Sequence, residues 1–195
     1  FIAGSVAKPI RTLDAAARRI QSGNYKEKVA LRQQDEIGRL SETFNQMMDG
    51  IADREAKIEY QSLHDPASGL PNRLAFERRL DQAIAEAVTQ KTGLSVYLLQ
   101  IGRFSEINNT LGHDTGEKLI AALGATLRSI VKQADIIARH SSSMFALLMP
   151  TTGDSKFNPA VERILDMLNE PINIEGVAID VTAWIGEACY PDHGT

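Results

Sequence analysis

Apolar residues Val6, Ile10, Leu13, Ala17 and Ile20 recur at steps of three and four, which places them on one stripe of a helix. Pro9 suits the first turn of that helix, where a missing N–H is tolerated, and Gly23-Asn24 stops it. A polar connector follows, with Tyr25, Val29 and Leu31 as isolated apolar side chains. The next pattern opens on Asp35-Glu36, acidic residues that suit a helix N-terminus. Ile37, Leu40, Phe44, Met47, Ile51 and Ile58 then repeat at heptad spacing, interrupted by Arg54, in a run reaching about residue 60. Two helices with narrow stripes and a long connector do not make a stable monomeric core. Pairing with a second copy in a parallel four-helix bundle would bury both stripes. The simpler alternative is a two-helix hairpin packed on the C-terminal region.

From His64 the pattern changes. Residues 65–73 form a turn-rich junction, and Leu74, Phe76, Leu80, Ile84 and Val88 then mark one face of a helix. The nearly continuous apolar run 94–101 predicts a central strand covered on both faces. A helix is expected over 117–131, two short strands over 135–140 and 144–149 around Ser141-Ser142-Ser143, and a helix over 158–168. Residues 177–188 read as a strand paired with 172–174, and Phe145 and Trp184 sit in apolar strand patterns that assign both to the core. This order predicts an α/β (α+β) domain in which helices cover a mixed, largely antiparallel sheet.

Composition narrows the function classes. The 195 residues are 43% hydrophobic and carry a net charge of -4, values that argue against disorder and against a surface built to wrap nucleic acid. The single cysteine, Cys189, cannot form an internal disulfide, which fits a reducing compartment. No apolar run reaches the length of about 18 residues that a membrane span needs. The opening Phe1-Ile2-Ala3-Gly4-Ser5-Val6-Ala7 suits either the cytosolic end of a membrane helix or a clipped soluble chain, and Pro191-Asp192-His193-Gly194-Thr195 is turn chemistry at the other end.

Candidate chemistry lies in a few places. Asn108 and Asn109 precede Gly112-His113-Asp114-Thr115-Gly116-Glu117; an amide and a carboxylate here could read a purine edge, or simply cap a helix beside a solvated turn. In the hairpin, Ser141, Ser142 and Ser143 have only His140 as a nearby base, a poor case for a hydrolase. No Gly-rich phosphate loop with Lys-Ser/Thr occurs, nor a CxxC or HExxH pattern, and Gln100-Ile101-Gly102 offers a metal no carboxylate. Lys132 and Asp135 form a small charged pair before the hairpin.

Several of these residues carry a resemblance to known families. Pro9-Ile10 through Leu13, Gly23-Asn24-Tyr25, Asp35-Glu36-Ile37-Gly38-Arg39-Leu40, Phe44-Asn45 and Met48 resemble a HAMP domain, the dimeric linker that follows a membrane helix in bacterial receptors. The run from Asp65 to Arg73 resembles the GGDEF, or diguanylate cyclase, domain. So do Phe104 with Ile107-Asn108-Asn109, Gly112-His113 with Gly116, Arg139, the run from Phe145 to Pro150, Ile185-Gly186 and Tyr190-Pro191. The resemblance divides the chain into a HAMP-like linker at 1–50, a coiled-coil connector helix at 51–64, and a degenerate GGDEF domain at 65–195 that lacks its final helix and strand.

The resemblance also implies what has been lost. Active members join two GTP molecules into cyclic di-GMP, with divalent metals held by an acidic residue ending the first central strand and another in the hairpin. Those positions are Gln100 and Ser143 here, and the next acidic position of the strand segment is Gly102. The signature Gly-Gly-Asp-Glu-Phe falls on Ser141-Ser142-Ser143-Met144-Phe145, and the phosphate-contacting Lys falls on Ser105. Without carboxylates, magnesium has no protein ligands to neutralise charge during phosphoryl transfer. The fragment is therefore expected to be no enzyme, with no required cofactor. Asn108 and Glu117 match the guanine-reading positions, so GTP could remain an allosteric ligand, with magnesium only if GTP binds. Lys132 and Asp135 are a remnant of the Arg-x-x-Asp inhibitory site, with lysine lacking the planar fork of arginine.

The expected role is a regulatory module on the cytoplasmic side of a bacterial inner-membrane protein. It would be a parallel homodimer passing a HAMP signal to a C-terminal output, such as an EAL phosphodiesterase domain, or to a separate protein partner, with no direct nucleic-acid contact. A GTP-binding sensor for that output, a protein-interaction scaffold (for example in RNA turnover) and a residual cyclase are the alternatives.

Overall fold

The N-terminal stripes become two helices in a computed structural model that describes residues 2–21, 24–25, 27–31, 35–131, 136–151 and 158–194. The chain divides into two compact units, Phe1–Tyr60 and Gln61–Thr195. No helix among the described residues is long and apolar enough to cross a membrane.

In the first unit, α1 spans Ile2–Gln21 and α2 starts at Glu36 and runs to Leu63. Pro9 is interior to α1 rather than in its first turn, because residues 2–8 are already helical, and its missing N–H leaves an intrahelical bond unmade. The expected stripe is also rotated: Pro9 and Ala16 are buried while Ile10 is exposed. Asp35 caps α2, its Oδ1 accepting from the amides of Ile37 and Gly38 at 3.1 Å each. The connector is clipped to α2 at Val29. Asn45 Oδ1 accepts from the Val29 amide and Asn45 Nδ2 donates to the Val29 carbonyl, both at 2.9 Å. Ser41 Oγ donates to the same carbonyl at 3.2 Å. The face that α2 buries is therefore Gly38, Ser41 and Met48, small or flexible residues that admit a backbone strap. Of the heptad seam, Leu40, Met47 and Ile58 remain exposed and Ile37, Phe44 and Ile51 half-buried.

The second unit follows the order α3 (Arg73–Gln90), β1 (Leu94–Ile101), α4 (Phe104–Leu111), α5 (His113–Ile130), β2 (Ile136–Ser141), β3 (Met144–Pro150) and α6 (Pro159–Leu168). The short pair β4 (Ile172–Ile174) and β5 (Val177–Ile179) comes next, then β6 (Ala183–Tyr190). The main sheet has the order β2-β3-β1-β6, antiparallel at every neighbouring pair. The central position of β1 explains its unbroken apolar run. Tyr97, Leu99 and Ile101 pack with Leu119, Ile120 and Leu123 of α5 and Val161 and Ile164 of α6. On the opposite face Leu94 and Val96 pack with Phe76, Leu80 and Ile84 of α3. Burial first, and the nearby Glu187 second, push the Tyr97 phenol up to about 12, so it remains a neutral O–H at physiological pH.

Three expectations for the second unit need correction. The helix expected over 117–131 starts at His113, and a separate helix, α4, precedes it; Gly112 at φ 89° supplies the left-handed break between them, so Glu117 lies past the first turn. The strand expected over 177–188 is two strands in different sheets, because the chain leaves the β4–β5 hairpin at Asp180 and buries Val181 before β6 begins. Phe145 is fully buried, but Trp184 is 62% exposed. Strand alternation turns Ala183 and Ile185 to the core and leaves Trp184 on the other face, its ring lying over Gly102. Phe145→Ala is expected to cost about 3–5 kcal/mol of unfolding free energy, and Trp184→Ala less than about 1 kcal/mol, as measured by urea titration.

Candidate functional site

The β2–β3 hairpin and the end of β1 form the first cluster. Register places Gln100 opposite Met144 on one side and Trp184 on the other. The Ile101 amide donates to Ser143 O at 2.7 Å, closing the tip against β1. Gln100 Nε2 donates to Ser143 Oγ at 2.8 Å, with Ile101 O at 3.1 Å and Ser143 O at 3.3 Å also within reach. The two sequence-predicted ligand positions are thus brought together and bonded directly to each other. The side chains of Gln100 and Ser143 are neutral, and Gly102 has none. This donor set does not fit the magnesium that the resemblance implies, since a hard dication is held chiefly by carboxylates and phosphates and the amide group aims hydrogens, not lone pairs, at the surrounding oxygens.

Behind the tip stands a pairing that sequence reasoning left without a role. Arg139 Nη1 contacts both oxygens of Asp65, at 2.9 and 3.0 Å, and the side chains are only 12% and 18% exposed. The same guanidinium donates to Ser142 O at 2.9 Å and Ser141 O at 3.3 Å. Asp65 Oδ1 also accepts from the Ser68 amide at 2.8 Å and hydroxyl at 2.7 Å. Burial pushes this carboxyl up, but the bonds from Ser68 and the Arg139 charge outweigh it and hold Asp65 below its usual range. The junction is tied further by Arg128 Nη2 donating to Gly69 O at 2.9 Å, and by the Arg139 amide donating to Pro71 O at 2.9 Å. The available signal was Asp65 followed three residues later by Ser68, an Asx-turn pattern, with an arginine at a strand end.

The second cluster joins α4 and α5. Asn108 lies against Gly116, and a Cβ there would overlap Asn108 Oδ1. That oxygen is buried and has no hydrogen-bond partner among the described residues. Glu117 follows Gly116 and presents a half-exposed carboxylate 3.7 Å from His113 Nε2. A buried amide oxygen without a partner is uncommon, and Glu117 is an exposed carboxylate one residue beyond the glycine that covers it. His140, at the irregular pairing of β2 with β3, has a buried Nδ1 with no hydrogen-bond partner among the described residues. Lys132 and Asp135 lie outside the described residues.

Comparison with known proteins places this geometry. The family profile described as diguanylate cyclase, GGDEF domain, matches residues 62–195. The chain belongs to the GGDEF family. A HAMP domain profile matches residues 1–53, so a HAMP domain precedes the GGDEF domain. The cyclic di-GMP phosphodiesterase NbdA of Pseudomonas aeruginosa is 30% identical over 158 residues, covering 80% of this chain and 20% of that protein. The diguanylate cyclase TpbB of the same species is 30% identical over 167 residues, covering 81% of this chain and 38% of that protein. The chain therefore spans well under half of either relative. The solved GGDEF domain of TpbB superposes with a TM-score of 0.63 and 31% identity, over 67% of this chain and 77% of that one. These names point to opposite reactions, so the GGDEF fold does not decide the chemistry here.

Because its folded-state pKa lies below the unfolded value of about 3.9, Asp65 stabilises the fold above that pH, and the contribution is lost as pH falls through the folded-state value. Asp65→Asn should flatten the acid limb of a stability-versus-pH curve. Arg139→Ala, which strands the carboxylate, should cost about 3 kcal/mol at neutral pH, with Arg139→Lys recovering only part.

Proposed function

We propose that this GGDEF domain is a non-catalytic regulatory module of a membrane-anchored cyclic di-GMP signalling protein. It relays a HAMP-borne signal on the cytoplasmic side to a C-terminal output such as an EAL phosphodiesterase domain. The observation that carries this is the Gln100–Ser143 hydrogen bond, at 2.8 Å, where two metal-holding carboxylates would otherwise stand. Phosphoryl transfer depends on charge neutralisation at the transferred phosphate and on a group to accept the proton of the attacking hydroxyl. Neutral side chains at Gln100, Ser141, Ser142 and Ser143 supply neither. The resemblance to NbdA, a phosphodiesterase by name, supports a phosphodiesterase output. Incubated with GTP and magnesium or manganese, the 195-residue chain is expected to form no cyclic di-GMP above a protein-free control, by chromatography with mass detection. Product at a rate proportional to protein would overturn the assignment.

A second role, GTP binding without turnover, is favoured by the buried Asn108 oxygen against Gly116, which has no partner among the described residues, and by the exposed Glu117 next in the chain. Calorimetry should give a micromolar dissociation constant for GTP, weakened tenfold or more by Asn108→Ala or Glu117→Ala. Absence of heat up to millimolar GTP would leave the module as a protein scaffold.

The relay itself requires a parallel homodimer through the HAMP and connector helices. The exposed Leu40, Met47 and Ile58 of α2 support this. In a background with Cys189 replaced by Ser, single cysteines at Ile37, Leu40, Phe44, Met47, Ile51 and Ile58 should cross-link between copies more strongly than those at intervening positions. Uniform cross-linking along α2 would count against the relay.

A further inference from the structure

Oxygen atoms surround a single nitrogen at the hairpin tip. Ser143 Oγ, Ile101 O and Ser143 O lie 2.8, 3.1 and 3.3 Å from Gln100 Nε2. A hydroxyl and backbone carbonyls converging on one point are the kind of oxygen set that surrounds a hard cation. Here the centre of that set is an amide nitrogen, whose two hydrogens carry partial positive charge. The rest of the turn is served the same way from β2, where the Arg139 guanidinium meets the carbonyls of Ser141 and Ser142. The carbonyls of Ser141, Ser142 and Ser143 thus each face a nitrogen, with a side chain on either strand doing the tethering.

We infer that the Gln100 carboxamide is a built-in substitute for a divalent cation. It draws Ile101 and Ser143 together by hydrogen bonding, so that the tip closes without metal. The oxygens it serves form a latent cation site, which a carboxylate at position 100 would open. This goes further than loss of ligands, since deletion alone would leave only Ser143 O served, by the Ile101 amide, and would take this donor from Ile101 O and Ser143 Oγ. It rests on the assignment of Gln100 and Ser143 as the family's ligand positions in the proposed function. A consequence is that the module's tip stays ordered at any magnesium concentration, and its regulatory surface does not follow the metal.

The test is thermal unfolding of the 195-residue chain without nucleotide, in EDTA and across a manganese series, with manganese binding read by electron paramagnetic resonance. The unsubstituted chain should melt at the same temperature throughout and bind no manganese at the tip. Gln100→Ala and Gln100→Asp should both melt about 2–6 °C lower in EDTA. Only Gln100→Asp should recover as manganese rises, with a saturable signal that Gln100→Ala lacks. A manganese-dependent rise in the unsubstituted chain, an unchanged melt for Gln100→Ala, or no manganese gain in folded Gln100→Asp would overturn the inference. If Gln100→Asp does not fold, a cycle of Gln100→Ala, Ser143→Ala and the double substitution decides: non-additive melts support the amide clamp, and additive melts overturn it. Failure of the functional assignment reads out separately, as cyclic di-GMP made by the unsubstituted chain.

Discussion

Everything at the hairpin depends on one largely buried ion pair. Asp65 opens the turn that leads into α3, Arg139 ends the useful part of β2, and their side chains meet although the residues are 74 positions apart. A buried charge is costly alone, so each must find the other for either to be tolerated. The arginine is suited to this because its planar fork serves two carboxylate oxygens and two turn carbonyls together. Strand pairing, the junction turn and the tip are therefore linked through a single guanidinium. None of these contacts is itself chemistry on a substrate.

That separation explains how a member of this family can lose its signature and keep its shape. The groups that hold the tip in place are backbone carbonyls, Arg139, Asp65, the Ile101 amide and the Gln100 carboxamide. Only the backbone carbonyls of Ser141 and Ser142 are tied to Arg139, and the register of β2 on β3 is left to the buried Ala138, Phe145, Ala146 and Leu147. The α4–α5 pair is held by different means. Gly116 admits the Asn108 side chain, and Gly112 turns the chain between the helices. The Asn108–Gly116 contact thus rests on packing separate from the hairpin.

Legibility in the sequence followed periodicity. The unbroken run of β1 announced a strand covered on two faces, and the alternating blocks of helix and strand announced the layered domain. Where local signals conflicted, the reading erred. Gly112 and Gly116 looked like parts of one turn, whereas Gly112 breaks two helices and Gly116 lies inside one because a neighbouring side chain needs its space. Trp184 looked like core because its neighbours are apolar, and only the sheet order shows which face it occupies. Pro9 carries a helix-start signal, but the residues before it are already helical.

By itself, the sequence determined most of the order of elements, α4 and the split of β5 from β6 excepted, together with the absence of carboxylates at Gln100 and Ser143 and the HAMP and GGDEF patterns, all of which are properties of residues near one another in the chain or of identities at single positions. Tertiary structure alone decided that Gln100 bonds to Ser143, that Asp65 serves Arg139, and that the Asn108 oxygen is buried with no partner among the described residues. Each of these depends on side chains from distant segments meeting at one point. Local propensity does not encode such meetings; antiparallel pairing of β1 with β3 and the packing of α4 on α5 bring them about.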